Sequence, residues 1–220
     1  VAMVARGKEL LDIDFTGGTM VTFEFEAPQQ TAAVRKQLEE KFGPTISLEQ
    51  LTTSDDQSAS AGATRFRMRT TEASQPDVVA RINEALSEPE FALRRVTATA
   101  GQVEAIPAVA DDATISDAER RFAGGHRAAL SFSGPVREGT ISEYVISALE
   151  AIPGTGDAPR YQFANTLVAV KGDGQEGDAA SGVKSATVSV TREVTAEDFA
   201  TALATVEKNF ADAPLFEEVN

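Results

Sequence analysis

The chain has 220 residues, of which 42% are hydrophobic, so it can bury one large core or two small ones. Its net charge of −14 leaves few Lys and Arg for phosphate contacts, which disfavours binding to nucleic acid and to anionic membranes. With no Cys and one His, disulfides and the usual zinc sites are not expected. We therefore predict a chain without a metal or a cofactor.

An internal repeat organises the sequence. Residues 15–28 align without gaps on residues 122–135. The identical pairs are Phe15 and Phe122, Gly17 and Gly124, Gly18 and Gly125, Phe25 and Phe132, and Pro28 and Pro135. Because the same order of predicted elements follows each segment, the sequence indicates two copies of one module.

The first copy predicts strand, helix, two strands, helix and strand. Val21, Phe23 and Phe25 alternate with polar residues, which is typical of a half-buried strand. The other elements, with the signals that predict them, are a helix from Ala33 to Phe42 ended by Gly43 and Pro44, strands at Ile46–Leu51 and around Phe66 and Met68, a helix capped by Ser74 and ended by Pro89, and a closing strand at Phe91–Thr99.

The second copy predicts the same order with its own signals. Leu130 and Phe132 mark its first strand. The later elements are a helix opened by a Thr140 and Glu143 capping box and running to Ile152, a strand at Tyr161–Val170, a mobile loop at Gly172–Gly182, a strand at Ala186–Thr191, a helix capped by Thr195 and Asp198, and a closing strand at Leu215–Val219.

Two β-α-β-β-α-β copies predict an α+β protein of two tandem ferredoxin-like units, each a four-stranded antiparallel sheet with two helices on one face. The predicted domains are residues 1–101, a linker at 102–121 with room for a short helix, and residues 122–220. In this topology the first and third strands of each unit are central neighbours. Glu24 and Glu26 should then lie across from the three arginines of the third strand, Arg65, Arg67 and Arg69.

The corresponding outward surface of the second unit is small and uncharged. It comprises Ala129, Ser131, Thr187, Ser189 and Thr191. Such a surface is able to pack on another domain or on an extended peptide, but it is more typical of an ordinary solvated sheet face. We predict it as the candidate contact face of the chain.

No group of residues predicts catalysis. Asp12 and Asp14 share one side of a strand, but no His, Cys or Lys is placed by the sequence to complete a mechanism. Residues 172–178 lack the spacing of a calcium loop. A strand rather than a helix follows each Gly pair, so these glycines predict a bulge or the close approach of another chain rather than a phosphate site. His126 is predicted to be exposed and without a special function, and the chain is predicted not to be an enzyme.

Residues 11–25, LDIDFTGGTMVTFEF, resemble the motif of the SecD/SecF protein-export membrane proteins. SecF-type sequences have the pattern G-[IL]-D-F-x-G-G-T ahead of an alternating strand, and Asp12 stands here in place of the leading Gly. The matching positions are Ile13, Asp14, Phe15, Gly17, Gly18 and Thr19, with Phe122, Gly124 and Gly125 as their counterparts in the repeat.

The resemblance implies a function in protein export. In that family the motif lies just outside the first transmembrane helix, and the apolar start Val1–Ala5, which lacks a Met, suggests a piece excised from such a protein. The resemblance implies an extracytoplasmic, periplasmic domain of an accessory translocase driven by the proton-motive force. Its partners would be the transmembrane portion, the SecYEG channel and the translocating preprotein. A typical SecF has one such unit, so the role of the second is open.

Two other functions stay open from the sequence. The related resistance-nodulation-division transporters carry porter domains of similar units, and an apolar cleft between the units would favour an efflux function. A soluble regulatory module that binds a metabolite between paired units is the third alternative. Polar flanks in the full reading frame would favour that module.

Overall fold

The computed structural model describes residues 18–51, 62–108, 116–154, 156, 158–173 and 182–217. In this part of the chain the protein is an α+β fold with two antiparallel sheets, one of four strands and one of five, and five α-helices. It forms two compact units. Unit 1 holds the described residues up to Arg94 together with Phe216 and Glu217, and unit 2 holds those from Arg95 to Leu215.

The described part of the chain contains nine strands and five α-helices. In unit 1 and the segment after it they are β1 (Thr19–Gln29), α1 (Thr31–Phe42), β2 (Ser47–Gln50), β3 (Ala63–Thr70), α2 (Gln75–Ala85), β4 (Ala98–Ala100) and β5 (Glu104–Ala105). The remaining elements are α3 (Asp117–Phe122), β6 (His126–Val136), α4 (Glu138–Glu150), β7 (Val168–Gly172), β8 (Val183–Val190), α5 (Ala196–Asp212) and β9 (Phe216–Glu217).

The sheet of unit 1 has the strand order β2-β3-β1-β9. Alternate residues of β1 and β3 point to one face, where the rings of Phe23, Phe25 and Phe66 lie with centroids 5.6 to 6.3 Å apart. Helices α1 and α2 bury Val34 and Ile82 against the same cluster. Both helices therefore cover one face of the sheet, as the alternation predicts.

The second sheet has the order β4-β6-β8-β7, and β5 also pairs with β6. Its core face carries Leu130 and Val188, which α4 and α5 cover with residues at helical spacing. These helix residues, all buried, are Ile141, Val145 and Leu149 of α4 and Phe199, Leu203, Val206 and Phe210 of α5. The predicted core faces of both helices are confirmed.

The two central strand pairs have the same register. Thr19 of β1 lies opposite Thr70 of β3, and the residue aligned with it in the repeat, His126 of β6, lies opposite Val190 of β8. Both pairs also shift register at the same place, between Glu24 and Gln29 and between Ser131 and Val136. The predicted central pairing of the first and third strands is confirmed in both halves.

The predicted closing strands form only in part, and their partners are wrong: β4 and β9 each pair with the other half of the chain. Residues 89–91 form a 3-10 turn, Leu93 makes a single bridge to Phe25, and β4 pairs with β6. Likewise β9 pairs with β1 of unit 1. An alternating sequence specifies a strand but not its partner. The unit boundaries therefore differ from the predicted 1–101, 102–121 and 122–220, since residues 95–101 belong to unit 2.

Other local predictions also need correction. Thr140 does not open a helix: α4 begins at Glu138 after Arg137, and Thr140 is buried inside it. The predicted strand Tyr161–Val170 begins only at Val168, after a 3-10 turn at Ala164–Thr166. The predicted linker carries β5 and α3. Most of the predicted loop Gly172–Gly182 lies outside the described residues.

Candidate functional site

The family-like motif lies only partly within the described residues. Its positions Ile13, Asp14, Phe15 and Gly17 lie outside them, as does the Asp12 and Asp14 pair. Gly18 comes just before β1, where an added Cβ would lie 2.1 Å from the carbonyl oxygen of Thr70. Any side chain at this position would therefore collide with the end of β3.

The repeat counterpart has the same geometry. A Cβ on Gly125 would lie 2.1 Å from the carbonyl oxygen of Val190, at the end of β8. Gly124 has a φ of 76°, in the left-handed region that favours glycine. Phe122 ends α3, and the guanidinium carbon of Arg121 lies 5.3 Å from the centroid of its ring. The close approach is thus to the backbone of the neighbouring strand of the same chain and not to another chain, which gives these glycines a structural role.

Four of the five predicted contact residues share one surface of unit 2. Ala129 and Ser131 lie on β6, Thr187 lies opposite Ala129 on β8, and Ser189 follows on the same side. Ala129 and Ser131 are exposed, whereas the two β8 residues are half-buried. Thr191 follows the end of β8 and is only 7% exposed, so it does not contribute to the exposed face. We call the four-residue surface the small face.

Charged and polar groups border the small face. Arg127 on β6 makes an exposed ion pair with Glu104 of β5, with 3.1 Å between Nη2 and Oε2. Ser185 Oγ donates to Asp173 Oδ2 at 2.5 Å, and Lys171 lies opposite Thr187 in the β7–β8 register. The side chains of the small face are short, so an extended backbone could lie close to the sheet. They bring no nucleophile and base together.

The corresponding face of unit 1 is charged. Glu24 lies opposite Arg65, as predicted, but the ion pairs extend to the edge segments of the sheet. Arg94 Nη1 lies 2.6 Å from Glu24 Oε2, and the guanidinium of Arg65 pairs with Glu217 of β9. The side chains of Arg65 and Glu217 are only 12% and 7% exposed. Glu26 is exposed and lies where the β1–β3 register shifts, between Glu24 and Gln29. It therefore does not lie opposite an arginine of β3 as predicted.

A polar cluster that the sequence did not predict lies at the start of α5. The Tyr161 hydroxyl donates to Asp198 Oδ2 at 2.5 Å, and Thr195 Oγ1 donates to the same atom at 2.9 Å. The hydrogen bond from Tyr161 holds the pKa of Asp198 below its usual value. Burial, followed by the same bond, raises the pKa of Tyr161. The T-x-x-D cap predicted Thr195 and Asp198, and the Thr195 hydroxyl does accept the Asp198 backbone N–H at 3.2 Å, but nothing in the sequence pointed to Tyr161.

The described residues hold no group of three or more His, Cys, Asp or Glu side chains that could bind a metal ion. His126 is half-buried rather than exposed, and its Nδ1 lies 3.2 Å from the carbonyl oxygen of Val194. In the same part of the chain no helix is both long and apolar enough to span a bilayer.

Comparison with known proteins adds no family to these observations. No protein-family model matches this chain. No curated protein matches it either. The resemblance of residues 11–25 to the SecD/SecF motif therefore stays a prediction.

Proposed function

We propose that this chain is a non-enzymatic, extracytoplasmic part of a SecD/SecF-type protein-export membrane protein. The proposal includes a tandem ferredoxin-like organisation, SecYEG and the membrane portion as partners, and a preprotein as the molecule moved. The motif from Ile13 to Thr19 supports it, and so does the structural reason for glycine at Gly18. The work of the domain would be to relay movement.

One observation carries the proposal: a single extended segment bonds to the unit 1 sheet near its start and pairs with the unit 2 sheet near its end. Leu93 bridges to Phe25, and the Arg94 N–H donates to the Glu24 carbonyl oxygen at 2.7 Å, at the edge of the unit 1 sheet. Four residues later β4 begins and pairs with β6 of unit 2. Later in the chain, β9 pairs with β1. In this proposal, movement is relayed along this continuous segment of backbone.

The small face is the proposed point of contact with a preprotein. Its exposed Ser131 and Ala129 lie on a central strand, with no bulky side chain between them and solvent. Such a face offers hydroxyls but little apolar area, and area buried on binding drives affinity. We expect the isolated chain to bind unfolded polypeptide more weakly than micromolar, and a tighter affinity would argue against a relay.

The first test is to search the reading frame of the parent protein, on both sides of this chain, for apolar segments. We expect one apolar segment of about 20 residues before Val1 and about five after Asn220, with polar residues among them, since each spanning helix needs this length. Polar flanks on both sides would overturn the proposal and leave the metabolite-binding module as the better explanation.

The second test uses the absence of cysteine from this chain. A Ser131→Cys variant of the parent protein, with every cysteine outside this chain replaced by Ser and the new thiol labelled with a photo-crosslinker, should form an adduct with a preprotein arrested during export. An Ala200→Cys variant on the exposed side of α5 is the matched control and should not. Equal yields from the two positions would refute the small face as the contact.

A further inference from the structure

Strand β7 forms one edge of the unit 2 sheet. In the described part of the chain it pairs with β8 alone, because the strand order is β4-β6-β8-β7. Just after β7, the Asp173 N–H donates to the Ser185 carbonyl oxygen at 2.9 Å. The residues of an antiparallel pair bond to their neighbour at every second position. The backbone N–H and C=O groups of Val168, Val170 and Gly172 therefore point away from β8, out of the sheet edge.

The end of this edge is closed by a side chain. The outward N–H of Gly172 donates to Glu138 Oε1 at 2.8 Å. The carboxylate oxygen thus occupies the place that a carbonyl oxygen of a further strand would take. A Cβ on Gly172 would lie 2.5 Å from the same oxygen, so glycine leaves room for this contact. The edge therefore already accepts an oxygen from outside its ladder.

The start and the middle of the edge are open. Within the described residues, no hydrogen bond is made to the outward N–H or C=O group of Val168 or Val170. The equivalent edge of unit 1 is β2, and α1 covers part of it. There Arg35 Nη2 donates to the Leu48 carbonyl oxygen at 3.3 Å. The two units therefore differ at this edge, and unit 2 has the open one.

An apolar strip lies beside the open stretch. Val170 and Ile146 of α4 are half-buried and pack at the margin of the unit 2 core. The Tyr144 ring stacks on Phe210 of α5 with centroids 4.5 Å apart, so this side of α4 faces α5. Ile146 lies about 200° around the helix from Tyr144, on the side away from α5. Since α5 contacts β4 and α4 contacts β7, Ile146 lies on the side of the β7 edge.

The open groups indicate the class of partner. Outward groups at every second residue, about 6.6 Å apart, are matched by the backbone of another extended segment, whatever its side chains. Two outward residues offer at most four hydrogen bonds, and one short strand covers much less than the about 800 Å² per partner of a stable interface. Such a contact suits a segment that binds and is released.

Charge and sheet geometry narrow the choice further. A second copy of the chain would bring together two molecules with a net charge of −14 each, which disfavours pairing of β7 with itself. All pairs of the unit 2 sheet are antiparallel, and this orientation is the more stable one. The geometry therefore favours one extended, antiparallel segment of an unfolded polypeptide.

We propose that β7 is a strand-addition site: an extended segment of an unfolded polypeptide pairs antiparallel with Val168 and Val170 and places an apolar side chain against Ile146. This site is separate from the small face. The inference does not depend on the export function, because it concerns only the edge groups of this chain.

The test uses three peptides with the whole chain of 220 residues. The first is Lys-Thr-Val-Thr-Val-Thr-Glu with both ends blocked, so its net charge is zero. In the proposed pairing its two valines lie opposite Val168 and Val170, with their N–H groups toward β7. The second peptide carries N-methyl groups on both valines. The third carries them on the threonine before each valine, where the N–H points away from β7.

Binding is followed by the chemical shifts of the backbone amides. For the first peptide we expect the largest changes at Val168 and Val170. The second peptide should bind at least about tenfold more weakly than the first, and the third should stay within about twofold. Equal binding of the second and third peptides, or no shift with the first, would overturn the proposal. Largest shifts at Ala129 and Ser131 would also overturn it, while supporting the small face as the contact.

Two proline variants test the edge on the protein itself. Val170→Pro removes an outward N–H without removing a bond to β8, and should weaken binding of the first peptide at least about tenfold. The Leu51 N–H donates to the Arg65 carbonyl oxygen, so the N–H of Gln50 points away from β3. Gln50→Pro therefore makes the same change on β2 and should leave binding within about twofold. Equal effects of the two variants would overturn the proposal.

A third variant leaves the backbone of the edge unaltered. Ile146→Ser removes apolar area beside β7 and should weaken binding of the first peptide about threefold or more. Its amide spectrum shows whether the fold is kept. Unchanged binding by a folded Ile146→Ser variant would overturn the proposal.

Sedimentation tests whether a second copy occupies the edge. We expect Val170→Pro to leave the oligomeric state of the chain unchanged. A dimer of the parent chain that Val170→Pro dissociates would replace the unfolded segment by a second copy, and would overturn the proposal.

Discussion

The two units have the same central strand pair but different surfaces around it. Gly18 and Gly125 approach the neighbouring strand at the same distance, and both pairs shift register at the same place. On the face away from the helices, unit 1 has the nearly buried ion pair of Arg65 and Glu217, whereas unit 2 has short hydroxyl side chains such as Ser131. Close backbone packing thus restricts which residues the central strands can have at the glycine positions. The side chains of the outer face are not restricted in this way and differ between the two units.

The largest expected effect tests whether β4 and β9, the two predicted closing strands, pair with the sheet of the other half of the chain. Phe210 and Phe216 are close in sequence but belong to different cores, unit 2 and unit 1. Each change to Ala should cost about 3 to 5 kcal/mol. In hydrogen exchange, Phe216→Ala should weaken protection of β1 near Phe23, and Phe210→Ala that of β6 near Phe132. If Phe216→Ala weakened β6 instead, the exchanged pairing would be wrong.

The next comparison concerns the ion pairs of the two outer faces. Removing one partner of a buried pair leaves an uncompensated charge, so Glu217→Ala should lower the free energy of unfolding by about 3 kcal/mol. Glu104→Ala breaks the exposed pair with Arg127 and should cost less than about 1 kcal/mol. Urea unfolding of the two variants gives both values. Similar losses of unfolding free energy in the two variants would mean that burial does not make the Arg65 and Glu217 pair more important for stability than the Arg127 and Glu104 pair.

The glycine geometry predicts a smaller loss. Gly125→Ala forces a methyl group against the Val190 carbonyl and should cost about 2 kcal/mol, with the same loss for Gly18→Ala. Gly139, in the first turn of α4, has open space around its Cβ position, so Gly139→Ala should stabilise by up to about 1 kcal/mol. Thermal unfolding measures all three variants. If Gly125→Ala left the stability unchanged, close approach to the neighbouring strand would not explain the glycines of the motif.

The cluster of Tyr161, Thr195 and Asp198 at the start of α5 in unit 2 predicts that stability depends on pH. Tyr161→Phe should cost about 1 kcal/mol at neutral pH, where Asp198 is ionised. Because the folded-state pKa of Asp198 is lowered, its contribution is present above the unfolded pKa of about 4 and is lost as pH falls through the folded value. Urea unfolding near pH 7 and pH 3 should show less acid destabilisation in Tyr161→Phe than in the parent.

The smallest expected effect is a gain. The Oγ1 of Thr191 is buried without a hydrogen-bond partner, so Thr191→Val should stabilise by about 0.5 to 1 kcal/mol. Thr201 is exposed and its hydroxyl donates to the Glu197 carbonyl oxygen, so Thr201→Val should be nearly neutral. Calorimetric melting temperatures compare the two. A loss on Thr191→Val would show that its hydroxyl is satisfied in solution.

Much of the local structure could be predicted from residue spacing. The alternation of Phe23 and Phe25 and the helical spacing of Phe199, Leu203 and Phe210 gave the right elements with the right buried faces. These patterns succeed because burial selects every second residue in a strand and every third or fourth in a helix. Four of the five residues of the candidate contact face lie on one side of the sheet, and Thr191 does not, whereas contact through this face stays a prediction.

The sequence alone indicated the repeat, most of the element types and the core faces, because each depends on nearby residues. Only the tertiary structure decided that β4 pairs with β6 and β9 with β1, that Glu217 lies against Arg65, and that Tyr161 donates to Asp198. These features depend on which distant segment occupies a sheet edge or a turn. Residue spacing carries no information on that choice, since any extended segment can satisfy the same backbone hydrogen bonds.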